Sequence, residues 1–237
     1  MFVVTLNTWK CDGDYLERMS RLVSQLPSIN PDVLLLQEVF AATEVGLDTA
    51  ERVSDCLPQH QLVLAPARQK VRQFSGQEVM STSGLALLVR GGVLNSRVLQ
   101  LPHTPADGDR IAQIVKVEIA GVSFQVVNLH LTHIHLETEL RKQQLEAIFS
   151  VLEPGPTILG GDFNDVIANP ALRYLDSRVD RIAQSSAPTH RDWVIDYIAW
   201  RGFEYSGFEV SLLFDSVHSP RVSDHAGVGV RFEHLVS

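Results

Sequence analysis

Two cysteines, Cys11 and Cys56, are all that the chain offers for disulfide chemistry. They are too few for a disulfide scaffold and stand at no zinc-like spacing from histidines, so two free thiols in a reducing compartment are expected. Long apolar runs are lacking as well. The longest are strand-length stretches such as Val33 to Leu36, far short of the ~20 residues that span a bilayer. Met1 to Trp9 hold no basic stretch followed by an apolar one and a cleavage site, and read directly as a strand. A soluble, cytoplasmic protein is therefore expected. Surplus positive charge is absent too: 28 acidic residues face 20 basic ones, for a formal charge of −8. This argues against bulk attraction to a phosphate backbone, so nucleic acid is a possible but disfavoured partner that would need a local basic patch. No repeat, low-complexity tract or linker interrupts the chain. With 237 residues, 45% of them hydrophobic and 20% charged, it can bury a sizeable core.

What is present is mostly strand pattern. Apolar and β-branched runs recur at Phe2 to Asn7, Asp32 to Gln37, Gln61 to Ala65, Leu85 to Arg90, Ile111 to Ile119, Val122 to His130, Thr157 to Gly160, Trp193 to Trp200 and Gly227 to Phe232. Helical periodicity is clearest at Asp14 to Leu26, with Leu16, Met19, Leu22, Val23 and Leu26 on one stripe. It recurs at Glu44 to Leu57, Glu137 to Leu152 and, briefly, Asn169 to Leu175. Ala120-Gly121 joins two adjacent strands as a hairpin, which favours mixed sheets over a parallel crossover fold. The spacing predicts one α/β (α+β) domain over residues 1–237, two stacked sheets covered by helices, with 66–83 as the main irregular region.

Polar residues collect where these strands end. Asn7 shares a face with Val3 and Thr5 and either caps a turn or contributes to a site. Glu38 follows the buried-looking run Leu34-Leu35-Leu36, where a carboxylate needs a partner or a cation unless it simply opens the next loop. Asn128 and His130 fall on one face of their strand. The imidazole is either a satisfied core histidine or a group that moves protons or binds phosphate. His133 and His135 fall in the loop that follows. In Gly160-Gly161-Asp162-Phe163-Asn164, a carboxylate and a carboxamide two residues apart face one small volume and can hold a water between them; an Asx turn explains one of the two but not both. Asp196 sits among Val194 and Ile198, and Asp224-His225, after the polar turn at 220–223, supplies an imidazole that can pair with it.

These residues resemble the endonuclease/exonuclease/phosphatase superfamily from end to end. The motifs stand in that family's order: Leu6-Asn7-Thr8-Trp9, Leu36-Gln37-Glu38-Val39, Asn128-Leu129-His130-Leu131, Gly161-Asp162-Phe163-Asn164, Ile195-Asp196-Tyr197-Ile198 and Ser223-Asp224-His225, with Arg141-Lys142-Gln143-Gln144 similar to its Arg-x-x-Gln element. The resemblance implies a DNase I-like four-layer sandwich of two mixed β-sheets flanked by helices. It implies Mg2+, with Mn2+ as a substitute, held by Glu38 with Asn7 and Asp224. It further implies that Asp162 activates a water steadied by Asn164, that His225, held by Asp196, stabilises transition-state charge, and that His130 acts as general acid. The expected reaction is in-line hydrolysis of a phosphodiester, with a phosphomonoesterase of the inositol-polyphosphate type and a non-catalytic binding module as alternatives. Substrate choice is expected from loops. Arg68, Lys70 and Arg72 form the clearest basic cluster and are candidate phosphate contacts, with Asn128 a further candidate; ordinary solvated charges are the alternative for the basic three.

Overall fold

The computed structural model describes residues 1–134, 137–215 and 221–233. His135 and Pro220 lie outside the described residues. In chain order the elements begin β1 (Phe2–Asn7), α1 (Tyr15–Ile29), β2 (Val33–Ala42), β3 (Leu47–Asp48), α2 (Thr49–Cys56), β4 (Gln61–Phe74), β5 (Gln77–Val89), β6 (Gly92–Gln100) and β7 (Ile111–Ile119). They continue β8 (Val122–His130), α3 (Thr138–Val151), β9 (Thr157–Asp162), α4 (Pro170–Asp176), β10 (Arg181–Ala183), β11 (Asp196–Arg201), β12 (Gly207–Leu213) and β13 (Gly227–Glu233). One sheet runs β12-β13-β1-β2-β5-β4 with β3 beside β2, and the other runs β10-β11-β9-β8-β7-β6. Both are mixed: β1–β2 and β8–β9 are parallel, while β1–β13 and β7–β8, for example, are antiparallel.

Alternation along the strands builds four layers. On β1, Phe2, Val4 and Leu6 face outward onto Tyr15, Met19, Leu22 and Leu26 of α1, while Val3 faces inward. That inner face, with Leu35, Leu87 and Val89, packs on Val115, Val126, Ile158, Ile198 and Trp200 of the second sheet. The second sheet's outer face, including Val127, Leu129 and Leu159, is covered by Leu145 and Ile148 of α3 and Leu172 and Leu175 of α4. Trp200 is core, as its apolar strand indicates.

Polar residues also cross between the sheets. Gln37 Nε2 donates to Asn128 Oδ1 at 2.8 Å and to Thr5 Oγ1 at 3.0 Å, while Asn128 Nδ2 donates to the Leu36 and Ala86 carbonyls. Fully buried and fully committed, Asn128 staples the two sheets together beneath the site. This corrects its expected role as a substrate contact.

Other expectations change for local reasons. The 66–83 region is no loop: β4 and β5 form a long hairpin through Ser75-Gly76, both at positive φ, as a tight two-residue turn demands. The alternating basic residues masked its strand pattern. Glu44 to Leu57 is not one helix, because Gly46 at φ +67° ends a 3-10 turn (Thr43–Val45), and Asp48 then caps α2 by accepting from Glu51 N. On α1, Leu16 is half exposed and Tyr15 and Arg18 take the buried face instead. The run predicted from Trp193 becomes a strand only at Asp196.

Candidate active site

Adjacent strands bring the chemistry into one row. Register pairs His130 of β8 with Asp162 of β9, and Asp162 with Asp196 of β11. Gly161 allows this: at φ +149°, a Cβ there would lie 2.0 Å from the Leu129 carbonyl oxygen, so only glycine lets β9 approach β8 this closely. From the other sheet, Asn7 closes β1 and donates from Nδ2 to Asp162 Oδ2 at 3.0 Å. The Asn164 backbone N–H donates to Asp162 Oδ1 at 2.9 Å, and the Asn164 carboxamide holds the Leu131 carbonyl. His225 Nδ1 pairs with Asp196 Oδ2 at 2.9 Å, which leaves Nε2 3.9 Å from Asp162 Oδ2. Ser223 fixes the last segment, donating to the Asn7 carbonyl at 2.6 Å while its oxygen accepts from His225 N.

Burial and neighbours set the charges. Asp162 is desolvated and faces the Asp196 carboxylate, which together push it up to about 7, against the pull of His225 and the Asn7 and Asn164 donors. Burial would discharge His225, but Asp196, Asp162 and Asp224 outweigh it and raise the ring to about 10. His130 goes the other way: burial, then Arg110 and Lys10, hold it well below its ordinary value. Of the nine described non-glycine residues at positive φ, five line this cavity: Trp9, Lys10, Glu38, Asn164 and Arg191. Glu38 sits in a bulge between Leu36 and Val39 that interrupts the pairing of β2 with β5. Backbone strain gathered at one site marks a functional constellation. The cavity measures about 500 Å³ and also takes in Asp224, Arg68, Lys70, Arg72 and His190.

Compared with known proteins, the chain matches the Endonuclease/Exonuclease/phosphatase family over residues 4–225. It belongs to the endonuclease/exonuclease/phosphatase family. Members of this family are metal-dependent phosphoesterases. Solved structures agree in fold. A family protein from Leptotrichia buccalis is 17% identical, covering 98% of this chain and 99% of that one at a TM-score of 0.76. The human Nocturnin catalytic domain with a bound sulfate anion is 20% identical, covering 100% and 93% at 0.76. A mannosyl-6-phosphatase from Bacteroides thetaiotaomicron is 16% identical, covering 98% and 99% at 0.70. No curated protein matches the chain.

For an endonuclease/exonuclease/phosphatase family member, the donor set fits a hard divalent cation. Glu38, Asp224 and the Asn7 carboxamide line one cavity and offer only oxygens, which suits an ion that keeps much of its own water. Lys10 Nζ meets Glu38 Oε1 at 2.5 Å, so this carboxylate is already cation-paired. Two histidine-bearing groups also converge, His190 with Asp224 and His225, and Asp162 with Asp196 and His225. In the second, His225 is hydrogen-bonded to Asp196, while Asp162 and His225 both line the cavity.

All the residues expected in the chemistry line the cavity except Asp196, which holds His225 from behind, and Asn128, which stands between the sheets. Arg68, Lys70 and Arg72 reach the cavity from β4. His190 and Lys10 were missed. The His190 ring lies 4.3 Å from that of His225, with Nδ1 3.7 Å from Asp224 Oδ2. It rises from the 184–195 segment, which has no strand period, and its one signal was the Thr189-His190 pair just ahead of Asp196. Arg141 and Gln144 lie outside the cavity and act as struts: Arg141 holds Asp165 at 3.0 Å and the Ile134 carbonyl, and Gln144 accepts from Thr132 N. Among the described residues, no helix is long and apolar enough to cross a membrane.

Proposed function

We propose that the chain is a Mg2+-dependent phosphoesterase that hydrolyses a phosphodiester by in-line attack of water, Mn2+ serving as a substitute. The observation that carries this reading is Asp162, a buried carboxylate whose two oxygens are aimed by Asn7 and Asn164 and whose affinity for a proton is raised to about 7. A base poised near neutrality takes a proton from water and gives it up again. Asn164 steadies that water or the phosphate.

His225, held protonated by Asp196, offers Nε2–H to a non-bridging oxygen as charge builds. His130, expected as general acid, is held neutral and is better suited to donate a hydrogen bond from Nε2, 3.5 Å from Asp162. Glu38, Asp224 and Asn7 would hold the metal, which when bound supplies positive charge to the phosphoryl oxygens and the leaving group. Hydrolysis of a phosphomonoester is the second reading, favoured by a cavity of small-molecule size and by the likeness in fold to the mannosyl-6-phosphatase.

Asp162→Asn keeps shape and removes the base. Its kcat/KM on bis(p-nitrophenyl) phosphate and on the matching monoester should fall by roughly 10²–10⁴, the usual range for a general base. A folded variant with near-normal turnover would remove Asp162 from the chemistry.

A further inference from the structure

Three cations on one strand of the cavity wall are left unused by this chemistry. Arg68, Lys70 and Arg72 alternate along β4 after the bulge at Pro66–Arg68, so their side chains leave one face of the strand, and all three line the cavity that holds Asp162 and His225. Of the other cations there, Arg110 is committed to Asp107 and His133 and Lys10 to Glu38, while Arg191 enters from the segment beside His190 and not from β4. None of the three on β4 forms an ion pair among the described residues.

Of the lining acids outside the catalytic group, Asp107 is taken by Arg110 and His133, Asp109 lies 3.9 Å from His103, and Asp12 is exposed. Arg72 donates to Ser83 Oγ at 3.2 Å, yet its Nε is buried with no acceptor. The Arg68 guanidinium lies over Gly108, where a Cβ would come within 2.6 Å of it, while the residue as a whole stays exposed to solvent. Repulsion outweighs attraction at Lys70: Arg72 first, then partial burial and Arg68, lower its proton affinity against a smaller opposing pull from Asp12.

In a chain of formal charge −8, three uncompensated cations on one cavity wall need an anion. Two guanidiniums and an ammonium match the oxygens of a phosphate. A nucleic-acid strand is a poorer match, because Trp9 is the one aromatic lining residue besides histidines and Arg18 already covers its ring at 4.9 Å. A cavity of about 500 Å³ suits a small molecule. We propose that Arg68, Lys70 and Arg72 form a subsite for a second phosphate, so that the favoured substrate is a small molecule bearing a phosphate monoester besides the phosphoester that is cleaved. This rests on reading the Asp162 centre as a phosphoesterase.

The test compares wild type with Arg68→Ala/Arg72→Ala on matched compounds: a nucleoside 5′-monophosphate against the 3′,5′-bisphosphate, and a dinucleotide without and with a 5′-terminal phosphate. The extra phosphate should raise wild-type kcat/KM by about tenfold or more, as one or two charged hydrogen bonds imply, and the advantage should shrink below about threefold in the variant. No advantage in wild type, or one that survives in the variant, overturns the subsite. Faster hydrolysis of a single-stranded oligonucleotide than of the best bisphosphate overturns the small-molecule assignment. If no compound is hydrolysed, the phosphoesterase reading fails separately, and calorimetry with inorganic pyrophosphate decides the subsite. Binding weakened about tenfold or more by the double substitution supports it; equal or absent binding in wild type sinks it.

Discussion

Burial lowers the proton affinity of both His130 and His225, and the contrast between them comes from what each ring faces. His130 meets cations and stays neutral, whereas His225 meets three carboxylates and is held charged up to about 10. A histidine raised in the folded state lends stability that is complete below its ordinary value of 6.5 and disappears as pH climbs through about 10. Asp196→Asn removes the chief source of that shift. The melting-temperature gap between wild type and Asp196→Asn, both in EDTA, should therefore be widest near about pH 6 and narrow toward about pH 10. A gap that stays constant across this range would show that Asp196 does not hold the charge on His225.

The elements around the site owe their precision to buried polar struts. Arg141 on α3 is the longest of these, tying the segment after His130 to the segment after Asp162 through Asp165. Cutting Arg141 back to alanine leaves Asp165 buried with its charge uncompensated, a loss of about 3–5 kcal/mol. For a chain of this length that lowers Tm by roughly 10 °C, and kcat/KM should fall as His130 and Asp162 lose their anchors. A Tm within about 2 °C of wild type would show the strut to be dispensable.

Much of this scale could be read in advance. Asn7, His130 and Asp162 at strand ends, and Glu38 at the bulge within β2, announced themselves because an apolar run delivering a polar side chain needs a reason. The β4–β5 hairpin did not, since Arg68, Lys70 and Arg72 occupy positions where an apolar face would have shown a period. His190 was hidden for a different reason: its place is set by bridges to Trp193 and His225 rather than by an element of its own. Asn128 misled because a face shared with His130 fixes direction along the strand but not depth within the sandwich.

Across the whole molecule, the four layers do one thing for the chemistry: they hold strand ends, and the bulge of β2, from two separate sheets against each other. Asn7 and Glu38 come from one sheet, Asp162 and His130 from the other, and the Gln37–Asn128 contact locks the two at the level of the site. Oxygen donors gathered at that seam are carboxylates and a carboxamide in excess of what Lys10 neutralises, which is why a divalent cation is central to the account. The most direct test is hydrolysis of bis(p-nitrophenyl) phosphate by protein stripped with EDTA, before and after Mg2+ is restored, in wild type and Glu38→Ala. The account predicts no turnover in EDTA, recovery with Mg2+ in wild type, and a metal requirement raised by about tenfold or more in Glu38→Ala. Undiminished hydrolysis in EDTA, or identical metal titrations for the two proteins, would contradict it.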